Sequence, residues 1–258
     1  MINTIIFSID KATNLKLLLE SLNTNGSNMF NNITILYNYT SEIEEIEYNS
    51  LIKILTPNIE WIKIINFKKQ LLEILKKKLD FTCFFMNNNL LYKKIENLES
   101  ILDLFNQYSN LFCFSLRLGK NITYCSSMET NNVLRDEQYI DDEFMLWDWS
   151  KHYLDFGFPL SLNGHIFRTK EIVKLTNVTS FNNPESLEES WQNFDNFPKE
   201  MMASYIQSAL INDSNIIEYN KQHNPDEQPI EFKNLKFDNI NSFNYNFNPI
   251  SIQNGTIN

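Results

Sequence analysis

Phe81-Thr82-Cys83-Phe84-Phe85-Met86-Asn87-Asn88-Asn89 joins an unbroken apolar run to three consecutive asparagines. An apolar stretch without polar alternation predicts a central strand covered on both faces. The abrupt change to amides marks where that strand leaves its sheet. Working back toward the N-terminus, strands are predicted over residues 3–9, 33–37 and 61–65. Between them lie helical stretches over 14–22, 42–54 and 67–79, and another follows over 95–108. In the first helix Leu15, Leu18, Leu19 and Leu22 fall on one face at helical spacing. Residues 23–32 are polar around Gly26 and predict a loop. Strands alternating with helices in this way imply an α/β fold, with a mostly parallel central sheet and helices on both faces.

Beyond Tyr108 the rhythm changes. Residues 111–118 and 121–126, joined by Gly119-Lys120, are expected as strand, turn and strand. Residues 128–143 are acidic and aperiodic and are expected to form a mobile loop. A late strand over 160–168 is followed by helices over 169–177, 185–194 and 199–210. From Asn224 the chain is rich in Asn, Pro and Phe with little periodicity, and its last residues are expected to be disordered. No linker divides the chain. One domain over 1–223 with a partly irregular extension over 224–258 is the expected organisation.

A chain of 258 residues, 43% of them hydrophobic and 14% aromatic, has ample material for a single large core. Its abundant Asn, Ile, Lys, Phe and Tyr match the codon bias of an AT-rich genome. The net charge of −10 argues against nucleic acid as a partner. The clusters Lys76-Lys77-Lys78 and Lys93-Lys94 are short and fit solvated helix faces. Cys83, Cys113 and Cys125 show no metal-ligand or disulfide spacing, which fits a reducing compartment. No apolar run approaches the roughly 18 residues of a membrane span, and the first residues do not form a signal peptide. A cytoplasmic protein is expected; its oligomeric state cannot be read from the sequence.

Ligands of open α/β sheets bind beyond the carboxyl ends of the strands. That rule singles out Ser8 and Asp10 after the first strand, Asn38 after the second, and Asn87, Asn88 and Asn89 after the central one. Asp10 is equally suited to hydrogen-bonding a ribose or base and to capping the following helix. His152, His165 and His223 are far apart and form no metal-binding pattern. No Ser-His-Asp order, phosphate-binding loop or GxGxxG motif is present.

A set of blocks resembles family-2-like glycosyltransferases of the GT-A type, as found in bacteria and large DNA viruses. They are Ile5-Ile6-Phe7-Ser8-Ile9-Asp10-Lys11, Phe114-Ser115-Leu116-Arg117-Leu118-Gly119-Lys120-Asn121, Trp147-Asp148-Trp149, Asp155-Phe156-Gly157-Phe158-Pro159-Leu160-Ser161, Gly164-His165-Ile166-Phe167-Arg168 and Asn183-Pro184-Glu185-Ser186-Leu187-Glu188. The blocks span roughly residues 3–190 in the family's order. The resemblance implies a GT-A fold, a nucleotide-sugar donor (UDP-sugar favoured) and a glycan or small acceptor. It also implies a divalent Mn or Mg ion held by an acidic motif at the end of the central strand. Here that motif is Asn87-Asn88-Asn89, and the family's acidic position before Gly-His is Asn163. Neutral amides are much poorer ligands for hard cations, so Asn89 is at best a weak metal ligand. Weakened metal dependence, metal-independent chemistry or lost activity would follow. By the same resemblance Glu188 is the expected base, with Asp155 second. Arg117 would offset donor diphosphate charge, and Trp147, Asp148, Trp149 and His165 would face the acceptor. The acidic segment 128–143 would close over the donor. A non-catalytic pseudo-glycosyltransferase that binds nucleotide, glycan or a partner domain is the alternative.

Overall fold

The computed structural model describes residues 2–26, 30–55, 59–77, 79–192, 200–212, 231–235, 237, 240 and 242–243. His223, residues 193–199 and the expected disordered end over 244–258 lie outside the described residues.

The strands are β1 (Ile2–Ile9), β2 (Asn32–Asn38), β3 (Ile59–Lys63), β4 (Phe81–Met86), β5 (Asn89–Leu91), β6 (Leu111–Ser115), β7 (Tyr124–Cys125), β8 (Thr130–Asn131), β9 (Gln138–Ile140), β10 (Phe144–Asp148), β11 (His165–Arg168), β12 (Met201–Tyr205), β13 (Leu210–Asn212) and β14 (Ser242–Phe243). The helices are α1 (Ala12–Asn25), α2 (Glu42–Leu55), α3 (Phe67–Leu75), α4 (Leu98–Gln107), α5 (Thr169–Val178) and α6 (Pro184–Gln192). Nine strands form the main sheet in the order β3-β2-β1-β4-β11-β6-β12-β10-β9. In it β3, β2, β1, β4, β6, β12 and β9 run one way, and only β11 and β10 oppose them. The result is a mixed α/β fold with a large, mostly parallel sheet flanked by helices, as the alternating pattern predicts.

The reading of Phe81 to Met86 as a strand buried on both faces holds residue by residue. Cys83 and Phe85 join the core beneath α1, α2 and α4, with Leu15, Leu18, Tyr48 and Leu104. Phe84 and Met86 join the opposite core beneath α3, α5 and α6, with Leu71, Ile172 and Trp191. A strand that serves two cores cannot afford the polar alternation of a one-sided sheet. Helix starts follow local chemistry: Asn66 accepts the Lys69 N–H ahead of α3, and Asn97 accepts the Ser100 N–H ahead of α4.

The second half departs from expectation in four places. The helix expected over 199–210 is instead strand β12, which sits between β6 and β10 with residues Met202 to Tyr205 buried. Its Met-Met-Ala content favours a helix, but burial between two strands overrides a weak local preference. The segment 128–143 is built into sheets: β8 pairs with β7, and β9 pairs with β10 at the edge of the main sheet. β6 and β7 do not form a hairpin, because β7 belongs to a separate three-stranded sheet with β8 and β14. Only His165–Arg168 of the expected late strand is extended, and residues 160–164 form a buried turn leading into it. Past Asn224, the described residues include a 3-10 turn at Phe232–Asn234, where the Phe232 N–H donates to Glu20 Oε2 at 3.0 Å. Phe232 and Leu235 bury against Leu17 of α1. No described helix is long and apolar enough to cross a membrane.

Candidate active site

The carboxyl ends of β1, β2 and β4 lie side by side, because β1 pairs in parallel with both of the others. Ser8 is buried and its hydroxyl lies 2.6 Å from that of Tyr48 on α2. Burial pushes the Tyr48 phenol up to about 12, against the pull of the Ser8 and Lys11 hydrogen bonds. Asp10 turns the chain out of β1 with φ 51, a left-handed conformation that Asp tolerates better than most residues. Its carboxylate accepts the Thr40 N–H at 2.6 Å and the Thr40 hydroxyl at 2.9 Å, so it joins the loops after β1 and β2. The Asn38 carbonyl accepts the Asp10 N–H at 3.1 Å, and the Asn38 side chain accepts the Tyr39 N–H at 3.0 Å.

The asparagines continue this rim. The Asn87 N–H donates to Phe7 O at 3.0 Å and its side chain donates to Ile9 O at 3.4 Å, which ties β4 back to β1. Asn88 is 9% exposed. Asn89 is fully buried: its Oδ1 accepts the Met86 N–H and its Nδ2 donates to Asn163 Oδ1, both at 3.0 Å. Asn163 in turn donates to Ser161 Oγ from its backbone N–H at 3.2 Å and from its Nδ2 at 3.3 Å. Gly164 follows with φ 68, and a Cβ there would meet Leu210 Cδ2 at 2.4 Å. The left-handed φ favours glycine at this turn into β11.

These contacts make the two amide positions depend on each other. An aspartate at 89 would have no hydrogen to give Asn163 Oδ1, and an aspartate at 163 would have none for Ser161 from its side chain. The donor set also fits a hard divalent cation poorly. Asn89 directs its oxygen to the main chain, and the described residues contain no group of three or more His, Cys, Asp or Glu placed to hold a metal.

A second polar cluster lies behind the rim. The Arg117 side chain is fully buried and donates from Nη1 to Asp155 Oδ1 at 3.0 Å and from Nε to His165 Nε2 at 3.2 Å. Asn132 Nδ2 donates to Asp155 Oδ2 at 3.0 Å. His165 Nδ1 is 2.9 Å from the Pro159 carbonyl, so the ring carries its hydrogen there and accepts from Arg117 at the other nitrogen. Burial, reinforced by the Arg117 charge, pushes the His165 pKa well below its usual value, so the ring stays neutral. Arg117, Asp155 and His165 are thus brought together, but their polar atoms face one another inside the protein.

Glu188 projects from α6, a helix capped by Asn183 Oδ1 accepting the Ser186 N–H at 2.7 Å. It is fully buried, and the polar groups nearest its carboxyl, the Ser161 hydroxyl and the Leu162 N–H, stand outside close hydrogen-bond geometry. Burial pushes its pKa up to about 8, while Arg117, the Ser161 hydroxyl and the Leu162 N–H pull it down.

Trp147, Asp148 and Trp149 stand apart from the rim. β10 runs antiparallel to β12 and Asp148 pairs with Met201, at the end of the sheet away from the asparagines. Trp147 is buried and donates from Nε1 to Phe156 O at 2.8 Å. Asp148 accepts from Ser150 and pairs with Lys151 at 2.9 Å, contacts that hold its carboxyl below the ordinary range despite an opposing desolvation.

Three participants went unmarked in the sequence: Tyr48, Asn132 and Ser161. Helical spacing from Leu51 offered a signal for Tyr48, and Ser161 lies inside a block that carries the family resemblance. Asn132 had none, since its role depends on a long-range contact.

No protein-family profile matches the chain. It is 28% identical over 197 residues to the bifunctional glycosyltransferase pgtA of Dictyostelium discoideum, covering 68% of this chain and 25% of that protein. The chain therefore spans about a quarter of that relative's length. Among solved structures it is similar to S. aureus TarS 1-349, with a TM-score of 0.47 and 11% identity, covering 81% of this chain and 58% of that one. It is also similar to 4-diphosphocytidyl-2C-methyl-D-erythritol synthase from Anaerococcus prevotii, with a TM-score of 0.46 and 13% identity, covering 86% and 95%. The chain is glycosyltransferase-like in sequence.

Proposed function

We propose that this chain transfers a sugar from a nucleotide-diphosphate-sugar donor, UDP-sugars foremost, to a glycan or small acceptor, with weakened or absent metal dependence. The donor occupies the rim formed by Ser8, Asp10, Asn38, Asn87 and Asn88. Glu188 is the base that takes the proton of the attacking hydroxyl, a role that needs a carboxyl whose pKa lies near the operating pH. The observation that carries this reading is Glu188 itself: a fully buried carboxyl without a close hydrogen bond, beside the turn that the asparagines at the end of β4 reach through Asn163 and Ser161. Glu188 is sealed from solvent in this structure, so acceptor binding requires the site to open. Arg117 supports this site from within, through Asp155 and His165. The relative's description as a glycosyltransferase supports the reaction class.

The second reading, a binding domain without turnover, is favoured by the inward-facing Asn89 amide. The two separate in donor-hydrolysis and transfer assays against a panel of UDP-, GDP- and CMP-sugars, with Mn²⁺ and with chelator. Turnover that survives chelation, and falls roughly 10²–10⁴-fold in Glu188→Gln, is the expected result. Nucleotide binding by calorimetry without turnover of any donor would establish the binding domain instead. Strict Mn²⁺ dependence would overturn the account of the asparagines.

A further inference from the structure

The amides between β4 and α6 form a directed chain. Its orientation is fixed at the start, because the Met86 N–H can only donate, so Asn89 must present its oxygen there and its NH₂ to Asn163. Asn163 must then accept with its oxygen and donate with its nitrogen, and both of its N–H groups reach Ser161 Oγ. Ser161 Oγ receives two hydrogen bonds and still carries one hydrogen to give. The turn from Pro159 to His165 is held around it: the Pro159 carbonyl meets the His165 ring, and Leu160 O accepts from Gln192 Nε2 at 2.7 Å. Gln192 is one helical turn beyond Glu188 on α6, so the same contact holds the turn against the helix that carries the carboxyl.

We propose that Ser161 is a positioning residue that directs its hydroxyl hydrogen onto the Glu188 carboxyl and so couples that carboxyl to the Asn89–Asn163 pair at the end of β4. Every donor in the chain points toward Glu188, so the bond dipoles add in favour of its anionic form. The other charged groups that act on Glu188 are Arg117, from the segment after β6, and Glu185 on its own helix. Arg117 favours the anion and Glu185 disfavours it, and neither is part of the chain. The coupling gives the paired asparagines a purpose that single aspartates could not serve, since an aspartate at either position interrupts the run of donors. Its catalytic consequence rests on Glu188 being the base; the hydrogen bond itself does not.

The test is the titration of the Glu188 side-chain carboxyl carbon by NMR in ¹³C-labelled protein, with Glu188→Gln assigning the signal. Ser161→Ala should raise the midpoint by about one pH unit, the loss of one hydrogen bond to a charged group. Ser161→Thr, which keeps the hydroxyl, should restore it. Asn89→Ala breaks the chain without touching Glu188 and should move the midpoint the same way by less; it also carries the test should Ser161→Ala fail to fold. An unchanged midpoint in a folded variant lacking the Ser161 hydroxyl or the Asn89 amide overturns the proposal. Turnover is measured in parallel on the unmodified protein. Shifted midpoints in a chain that turns over no donor would uphold the coupling and overturn only the catalytic reading.

Discussion

The rim at the ends of β1, β2 and β4 and the cluster around Arg117 use polar residues in opposite ways. On the rim, positions where charge is expected hold neutral amides and hydroxyls. Asn87 ties β4 to the main chain of β1, and Asn89 ties it to the turn before β11 through the Asn163 side chain. Behind it, where a core of apolar side chains would suffice, Arg117 and Asp155 form an ion pair whose side chains are 0% exposed. A buried pair of this kind contributes little net stability, because desolvation offsets most of its attraction. Its value is geometric. It fixes Phe156, the Pro159 carbonyl and His165 relative to β6, and through them the turn that carries Ser161 and Asn163. The cluster is rigid support, and the rim is the face it supports.

Breaking the charged member should have the largest effect. Arg117→Met leaves Asp155 buried without its cation and should cost about 3–5 kcal/mol in urea unfolding. Adding Asp155→Leu should recover much of that loss. Equal destabilisation in the double variant would show that the pair is worth more than a packed apolar substitute.

Next comes the pH response of Glu188, which lies between the two regions. Its folded pKa of about 8 lies above its ordinary 4.5, so the folded state binds the extra proton. That stabilising contribution is complete below the ordinary value and is lost as pH rises through the folded one. Glu188→Gln removes the dependence. Between about pH 5 and pH 8 the stability difference should move in the variant's favour by ~2–4 kcal/mol, measured by denaturant titration across that range. A parallel pH profile in both proteins would place the proton elsewhere.

The smallest change is expected on the rim itself. Asn89→Asp removes the donor to Asn163 and buries a carboxyl, and should cost about 1–3 kcal/mol in thermal or urea unfolding. If it were neutral, the amides would be interchangeable with the acidic pair of the resembling family, and the contrast between the regions would weaken.

Legibility in the sequence divides along the same line. In the first half strands alternate with helices, and β1, β2 and β3 pair in chain order, while β4 returns to the other side of β1, where Ile2 faces Phe81. Its helices carry clean 3.6-residue patterns, such as Leu15, Leu18 and Leu22, so local periodicity carried the succession of elements. In the second half β6 lies between β11 and β12, strands more than 45 residues downstream by its register partners His165 and Ser204. Nothing local in Met201 to Tyr205 marks a strand, and nothing in residues 128–143 marks an edge.

By itself, then, the sequence determined a two-faced central strand ending in asparagines and a mostly parallel α/β sheet. It also pointed to the strand ends that form the rim, because hydrophobic period and the alternation of strands with helices are local properties, and that alternation implies parallel strands whose carboxyl ends share one side. Tertiary structure alone decided that Arg117, Asp155 and His165 look inward and that Trp147 to Trp149 leave from the far end of the sheet. It alone seated Glu188 against the turn that carries Ser161. Those outcomes depend on strand direction and on the pairing of charges and hydrogen bonds across long stretches of chain, and no run of neighbouring residues encodes either.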